Sequence, residues 1–135
     1  MNVKLGTEEI RNVSLFVKMT GVQPKDCLIT EEALFFVLEP KSMIIAIGKN
    51  GANVKKLRQA FGKNVKLFAK YETAEETIKH MVPSVKTLKV NDGVAVISIP
   101  LEEKSKVIGR NGNNIKSMKE VLRRHFELKD LKIRV

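Results

Sequence analysis

The chain has no tryptophan and one tyrosine, and aromatic residues make up only 5% of it. Recognition that rests mainly on aromatic stacking is therefore poorly supported. There is a single cysteine, Cys27. An intramolecular disulfide and a cysteine-cluster metal site are both ruled out, which suits a reducing compartment. Beside Leu28 and Ile29, Cys27 reads as a small core residue rather than a nucleophile. The two histidines, His80 and His125, are far apart and lack neighbouring ligand residues. His125 reads as a surface or phosphate-side residue. Long apolar runs are absent as well. The stretch Met43–Ile47 is far too short to span a bilayer, and the charged N-terminus has no apolar segment of a signal peptide. A cytoplasmic protein with no membrane partner is expected. Catalytic sets are missing too: no paired carboxylates on a plausible cleft, and no Ser/His/Asp or Cys/His group at a supporting spacing. Neither Gly-x-x-x-x-Gly-Lys-Ser/Thr nor Gly-x-Gly-x-x-Gly after a strand occurs. The expectation is a protein that is not an enzyme and needs no cofactor.

What is present in excess is positive charge. Lys and Arg number 25 against 15 Asp and Glu, giving a net charge of +10 and a pI near 9.8. Such a surface is either simply well solvated or suited to a polyanion, whose condensed counterions are released on binding. Hydrophobic residues at 43% suffice for a packed core, and 135 residues fit one ordinary domain or two very small ones.

Periodicity favours two. Thr7 reads as an N-cap followed by Glu8 and Glu9, with Ile10, Val13, Phe16 and Val17 on one helical stripe that Gly21 ends. Strands are predicted over 26–30 and 33–38. Pro40 opens a short helix reaching Ile47, and a second helix over 52–60, stopped by Gly62, carries Val54, Leu57 and Phe61 on one face. A third strand covers 65–70. The order then repeats. Thr73 and Glu76 form a capping box before a helix ending near Met81. Strands over 85–90 and 94–99 flank an Asn91-Asp92-Gly93 hairpin turn. Pro100 opens another short helix, a long helix runs over 113–126 with Ile115, Met118, Leu122 and Phe126 expected inside, and a strand over 131–135 closes the chain.

The repeat is visible residue by residue. Ile47-Gly48-Lys49-Asn50-Gly51-Ala52-Asn53-Val54-Lys55 aligns without a gap on Ile108-Gly109-Arg110-Asn111-Gly112-Asn113-Asn114-Ile115-Lys116. Internal duplication is the natural reading. It divides the chain into domains 1–73 and 74–135, each with a net charge of +5. No Gly/Ser/Pro-rich linker separates them.

The repeated loop has a clear chemical use. Glycines admit unusual backbone angles and let a phosphate approach the main chain. The helix that follows offers unpaired amides and a partly positive end. Lys49 or Arg110 adds a full charge, and Asn50 and Asn111 tolerate left-handed backbone while offering donors. A lone Gly-x-x-Gly would be no more than a helix connection. Two basic copies at the same place in a duplicated unit favour anion binding. Ile47, Val54, Ile108 and Ile115 would form part core and part floor of an adjoining groove.

The loop pattern resembles the KH domain, in which a Gly-x-x-Gly loop clamps the nucleic-acid backbone. The order of elements resembles the prokaryotic type II arrangement. Thr20-Gly21-Val22 with Asp26-Cys27, Glu39-Pro40, and Arg123-Arg124-His125-Phe126 resemble the archaeal NusA-like branch, related to the KH pair of a bacterial transcription elongation and termination factor. That factor also carries a polymerase-binding domain and an S1 domain, which this chain has no room for. What the resemblance implies is therefore single-stranded RNA binding through the two loops.

The expected fold is α+β: two tandem type II KH domains, each α-β-β-α-α-β, rigidly packed. The expected RNA-binding residues are Ile47, Gly48, Lys49, Asn50, Gly51, Asn53, Lys55, Ile108, Gly109, Arg110, Asn111, Gly112, Asn114 and Lys116, with no metal site. The resemblance implies a role in transcription elongation or termination, with RNA polymerase as protein partner, and a monomer is the default. The alternatives are a ribosome-associated or RNA-processing KH protein, a protein-interaction module without RNA binding, and a single-stranded DNA binder.

Overall fold

The computed structural model describes residues 6–135. Met1–Leu5, part of the expected first domain and of the N-terminus judged not to be a signal peptide, lie outside the described residues. The chain divides into two compact units after Lys70, the second being Tyr71–Val135.

In the first unit, α1 (Thr7–Thr20) carries Glu8 and Glu9 in its first turn. Thr7 is its first helical residue, not its cap. Gly6 holds the cap position in extended conformation, and its carbonyl accepts from the Ile10 amide at 3.0 Å. The helix thus begins one residue earlier than Thr7 suggested, without a side-chain cap. Its end is firmly closed: Gly21 is left-handed, and Thr20 Oγ1 donates to the Phe16 carbonyl at 2.8 Å while accepting from the Val22 amide at 3.1 Å. Strands β1 (Asp26–Ile29) and β2 (Ala33–Leu38) pair antiparallel. A single 3-10 turn, Pro40–Ser42, leads into α2 (Met43–Ile47). After the loop come α3 (Ala52–Phe61) and β3 (Asn64–Ala69), which pairs parallel to β2 from Ala33↔Asn64 to Leu38↔Ala69. A parallel pair needs a crossover, and α2, the loop and α3 are that crossover. The sheet order is β1-β2-β3. Phe16 stacks on Phe36 with ring centroids 4.3 Å apart, within a core that includes Leu34, Leu38, Leu57, Val65 and Cys27. Cys27 has no solvent exposure, as a core residue should.

The second unit repeats this order. Helix α4 (Ala74–Met81) is capped by Thr73, whose Oγ1 accepts from the Glu76 amide at 3.1 Å. Strands β4 (Thr87–Asn91) and β5 (Val94–Ser98) form a hairpin with Asp92 and Gly93 both at positive φ, as a type I′ turn requires. Then follow α5 (Lys104–Ile108), α6 (Asn113–Phe126) and β6 (Asp130–Arg134), with β6 parallel to the central β5. Met118 and Leu122 are buried as expected, but Ile115 and Phe126 are only half-buried. Val121 takes the innermost place instead. It sits three residues after Met118, so the buried stripe lies slightly round the helix from the one the largest side chains suggest.

Candidate functional site

The two Gly-x-x-Gly loops have the same backbone. Gly48 and Gly109 lie at φ/ψ of 77°/170° and 78°/171°. Asn50 and Asn111 lie at 55°/30° and 55°/27°, and Gly51 and Gly112 at 74°/17° and 73°/16°. Each turn closes with an amide-to-carbonyl bond of 3.1 Å, Gly51 to Gly48 and Gly112 to Gly109.

The two glycines of a loop do different jobs. A Cβ on Gly48 would stand 2.9 Å from both Cγ and the backbone nitrogen of Asn53, and one on Gly109 would stand 2.8 Å from Asn114 Cγ. Those asparagines occupy the space because they brace the loop. Asn53 Nδ2 donates to the Ile45 carbonyl at 3.0 Å, and Asn114 Nδ2 to the Lys106 carbonyl at 3.1 Å. Each ties the end of the short helix to the first turn of the long one and satisfies a carbonyl otherwise left open. The second glycine faces outward. A Cβ on Gly51 would meet nothing within 4 Å, and one on Gly112 would find only side-chain carbons of Lys116 and Ile115, the nearer at 3.5 Å. A ligand can therefore reach the main chain at Gly51 and Gly112.

The helices behind the loops are electrostatically distinct. Helices α1 and α4 have acids in their first turns; α3 and α6 have none, and no side chain caps them. The first amide of each, Ala52 or Asn113, already donates to the Lys49 or Arg110 carbonyl within the loop, while no acid in the first turn offsets the partial positive charge of the helix end. Lys49 and Arg110 are exposed at the tips and Lys55 and Lys116 one turn on. Among the described residues these four cations make no ion pair. Cations farther along α6 are engaged. Glu120 accepts from Arg123 Nε at 2.6 Å and Arg124 Nε at 3.1 Å. The hydrogen bond from Arg123 is the main cause holding the Glu120 carboxyl below its usual range. Lys119 pairs with Asp130 at 3.1 Å.

Asn50 and Asn111 are exposed; Gly48, Gly51, Asn53, Gly109, Gly112 and Asn114 are half-buried. Ile47 remains 37% exposed, while Ile108, Val54 and Ile115 are half-buried at the loop margins. Two residues that sequence reasoning passed over also stand here. In α2 only Ala46 is buried; Ile44 is 84% and Ile45 59% exposed. The repeat held the signal, since the second copy places Ser105 and Lys106 at those positions. Among the described residues no group of His, Cys, Asp or Glu could hold a metal ion, and no helix is long and apolar enough to cross a membrane.

Comparison with known proteins gives matches over nearly the whole chain. Residues 9–79 match the family model described as KH domain, and residues 78–134 the one described as NusA-like second KH domain. The chain is 32% identical to the probable transcription termination protein NusA of Methanococcus vannielii, over 98% of this chain and 80% of the relative. It is 30% identical to the protein of the same name from Methanocaldococcus jannaschii, over 97% of this chain and 75% of the relative. For the one from Halobacterium salinarum the figures are 29%, 98% and 99%. Among solved structures, the crystal structure of APE1850 is similar, with a TM-score of 0.77 and 30% identity, covering 96% of this chain and all of that one.

Proposed function

The chain belongs to the NusA-like family of tandem KH-domain proteins, and from that premise we propose that it binds single-stranded RNA through both Gly-x-x-Gly loops and acts in transcription termination or elongation. The copies in this reading are residues 1–73 and 74–135. One observation carries it. Two loops of the same backbone each present an unobstructed glycine and an unpaired cation, ahead of a helix whose first turn has neither cap nor acid. That combination is a site for the oxygens of a phosphodiester.

The roles divide along the loop. The main chain at Gly48–Gly51 and Gly109–Gly112 receives the backbone, with Asn50 and Asn111 as donors at the tip. Lys49, Lys55, Arg110 and Lys116 neutralise phosphates. Ile47 and Ile108 face the bases. Asn53 and Asn114 act by holding the loop in shape.

The test is fluorescence anisotropy of a labelled single-stranded RNA across a range of salt. Wild type is compared with Lys49→Asp/Asn50→Asp, with Arg110→Asp/Asn111→Asp, and with all four changes together. A log–log salt slope of roughly −0.7 per phosphate contact, weakened by each pair of changes, supports the reading. Unaltered binding by the fourfold variant overturns it. Weaker binding of the matching DNA strand would reflect use of the 2′-OH. Co-purification with RNA polymerase rather than with ribosomal particles supports the assignment to transcription.

A further inference from the structure

The second sheet has two unlike faces. Side chains alternate along a strand, and the pairing register sorts them into cross-strand rows. Leu88–Ile97–Ile133 and Val90–Ala95–Leu131 form one face, in which Ala95, Ile97 and Leu131 are buried. Thr87–Ser98–Arg134, Lys89–Val96–Lys132 and Asn91–Val94–Asp130 form the other. On that second face Thr87, Lys89, Lys132 and Arg134 are all exposed. The equivalent face of the first sheet carries Leu28, Phe35, Val37 and Asp26, which are buried, and a single cation, Lys66, half-buried beside the Phe35 ring. The cationic face therefore belongs to the second unit alone and lies outside the two loops.

Its relief suits a linear polyanion. The central strand contributes short side chains, Val94, Val96 and Ser98. The flanking strands contribute long cations, Lys89 on one side and Lys132 and Arg134 on the other. With strands about 4.8 Å apart, the two rims stand roughly 10 Å apart across a shallow trough. The acid on this face, Asp130, is paired with Lys119 at 3.1 Å, and that hydrogen bond is the chief cause holding its carboxyl below the usual range. Among the described residues neither Lys89 nor Arg134 makes an ion pair. The hydroxyls of Thr87 and Ser98 are hydrogen-bonded to each other at 2.5 Å and offer further polar atoms between the rims. The face has no aromatic ring, so it has nothing on which a base would stack.

We propose that this face of β4, β5 and β6 is a second nucleic-acid surface, which holds the phosphate backbone of RNA along the central strand without reading bases. It does not depend on the loops. It would add sequence-independent affinity to whatever they select, and part of the chain's net charge of +10 serves it.

The experiment uses the full chain and a labelled oligouridine of about 20 nucleotides, with anisotropy read over a salt series. Lys89→Gln/Lys132→Gln/Arg134→Gln is made in the wild type and in the fourfold loop variant. Three lost contacts at about 0.7 each should flatten the log–log slope by about 2. In the loop variant the residual low-salt binding should fall at least tenfold. Thermal melting reports whether the fold is intact, and Lys89→Arg/Lys132→Arg/Arg134→Lys should restore both slope and affinity. An unchanged slope in both backgrounds, in a folded variant, overturns the proposal. So does an unchanged slope accompanied by loss of binding to polyglutamate, which would assign the face to an acidic peptide. If the loop variant alone binds like wild type, the loop reading fails while this one stands.

Discussion

Replacing Gly48 with alanine separates the two jobs of the loop glycines. Gly48 sits at φ 77° and ψ 170°, a region that is essentially restricted to glycine and costs other residues about 1–3 kcal/mol. The new methyl would also stand 2.9 Å from the Asn53 backbone nitrogen, an atom fixed in the first turn of α3. Overpacking of this kind costs about 1–3 kcal/mol more, so the total should be about 2–6 kcal/mol. Gly51→Ala meets no atom within 4 Å and pays only for its left-handed φ of 74°, about 1 kcal/mol. The order should invert for RNA. Gly51→Ala puts a methyl on the open surface and should weaken binding about tenfold, or about 1.4 kcal/mol, in a protein that is still well folded. Urea unfolding gives the stabilities and anisotropy the affinities. Adding Asn53→Ala to Gly48→Ala should recover only a minor part of the loss, because the backbone nitrogen stays in place. If Gly48→Ala proves as mild as Gly51→Ala, the account of the brace is wrong.

Three other perturbations follow from the structure. Ile44→Ser/Ile45→Lys carries the second copy's residues into the first. Since both isoleucines are exposed, stability should change by less than about 0.5 kcal/mol. Affinity for oligouridine should fall relative to an abasic strand, and an equal fall for both would remove the isoleucines from base contact. Ser117 is buried, and among the described residues its hydroxyl has no hydrogen-bond partner. Ser117→Ala should therefore stabilise the protein by about 1 kcal/mol in urea unfolding; destabilisation would reveal a partner. The Glu120 carboxyl has a lowered pKa, chiefly through the hydrogen bond from Arg123. Its contribution is present above its unfolded value near 4.5 and is lost as pH falls through the lower folded value. Melting temperature should thus fall as pH drops below about 4.5, less steeply in Glu120→Gln. An equally steep fall in that variant would assign the acid transition to other carboxylates.

Much of this was legible in the residues. Strand β2 over Ala33–Leu38, the hairpin turn at Asp92-Gly93 and helix α6 over Asn113–Phe126 have the bounds their local chemistry indicates. A Gly-containing turn and an apolar period act within a few residues, so local sequence suffices for them. The exposure of Ile44 and Ile45 was not legible from Met43–Ile47 taken alone. A five-residue helix is too short for its apolar side to be read from periodicity, and comparison with Lys104–Ile108 was needed. Val121 was missed because buried position depends on helix rotation against the sheet, not on side-chain size. The Lys89–Val96–Lys132 row could not be read either, since it joins three strands whose register is a property of the folded sheet. Asn53 and Asn114 were legible as members of the motif. Their hydrogen bonds back to Ile45 and Lys106 needed the loop conformation.

If both loops hold RNA through their main chain, a bound strand should perturb the amides of both. Amide chemical shifts of the labelled protein would be followed by NMR during titration with a short single-stranded RNA. The largest changes should fall at Lys49–Val54 and Arg110–Ile115, growing in parallel and weakening with salt. Changes that spare both loops, or affect only one of them, would contradict binding through both.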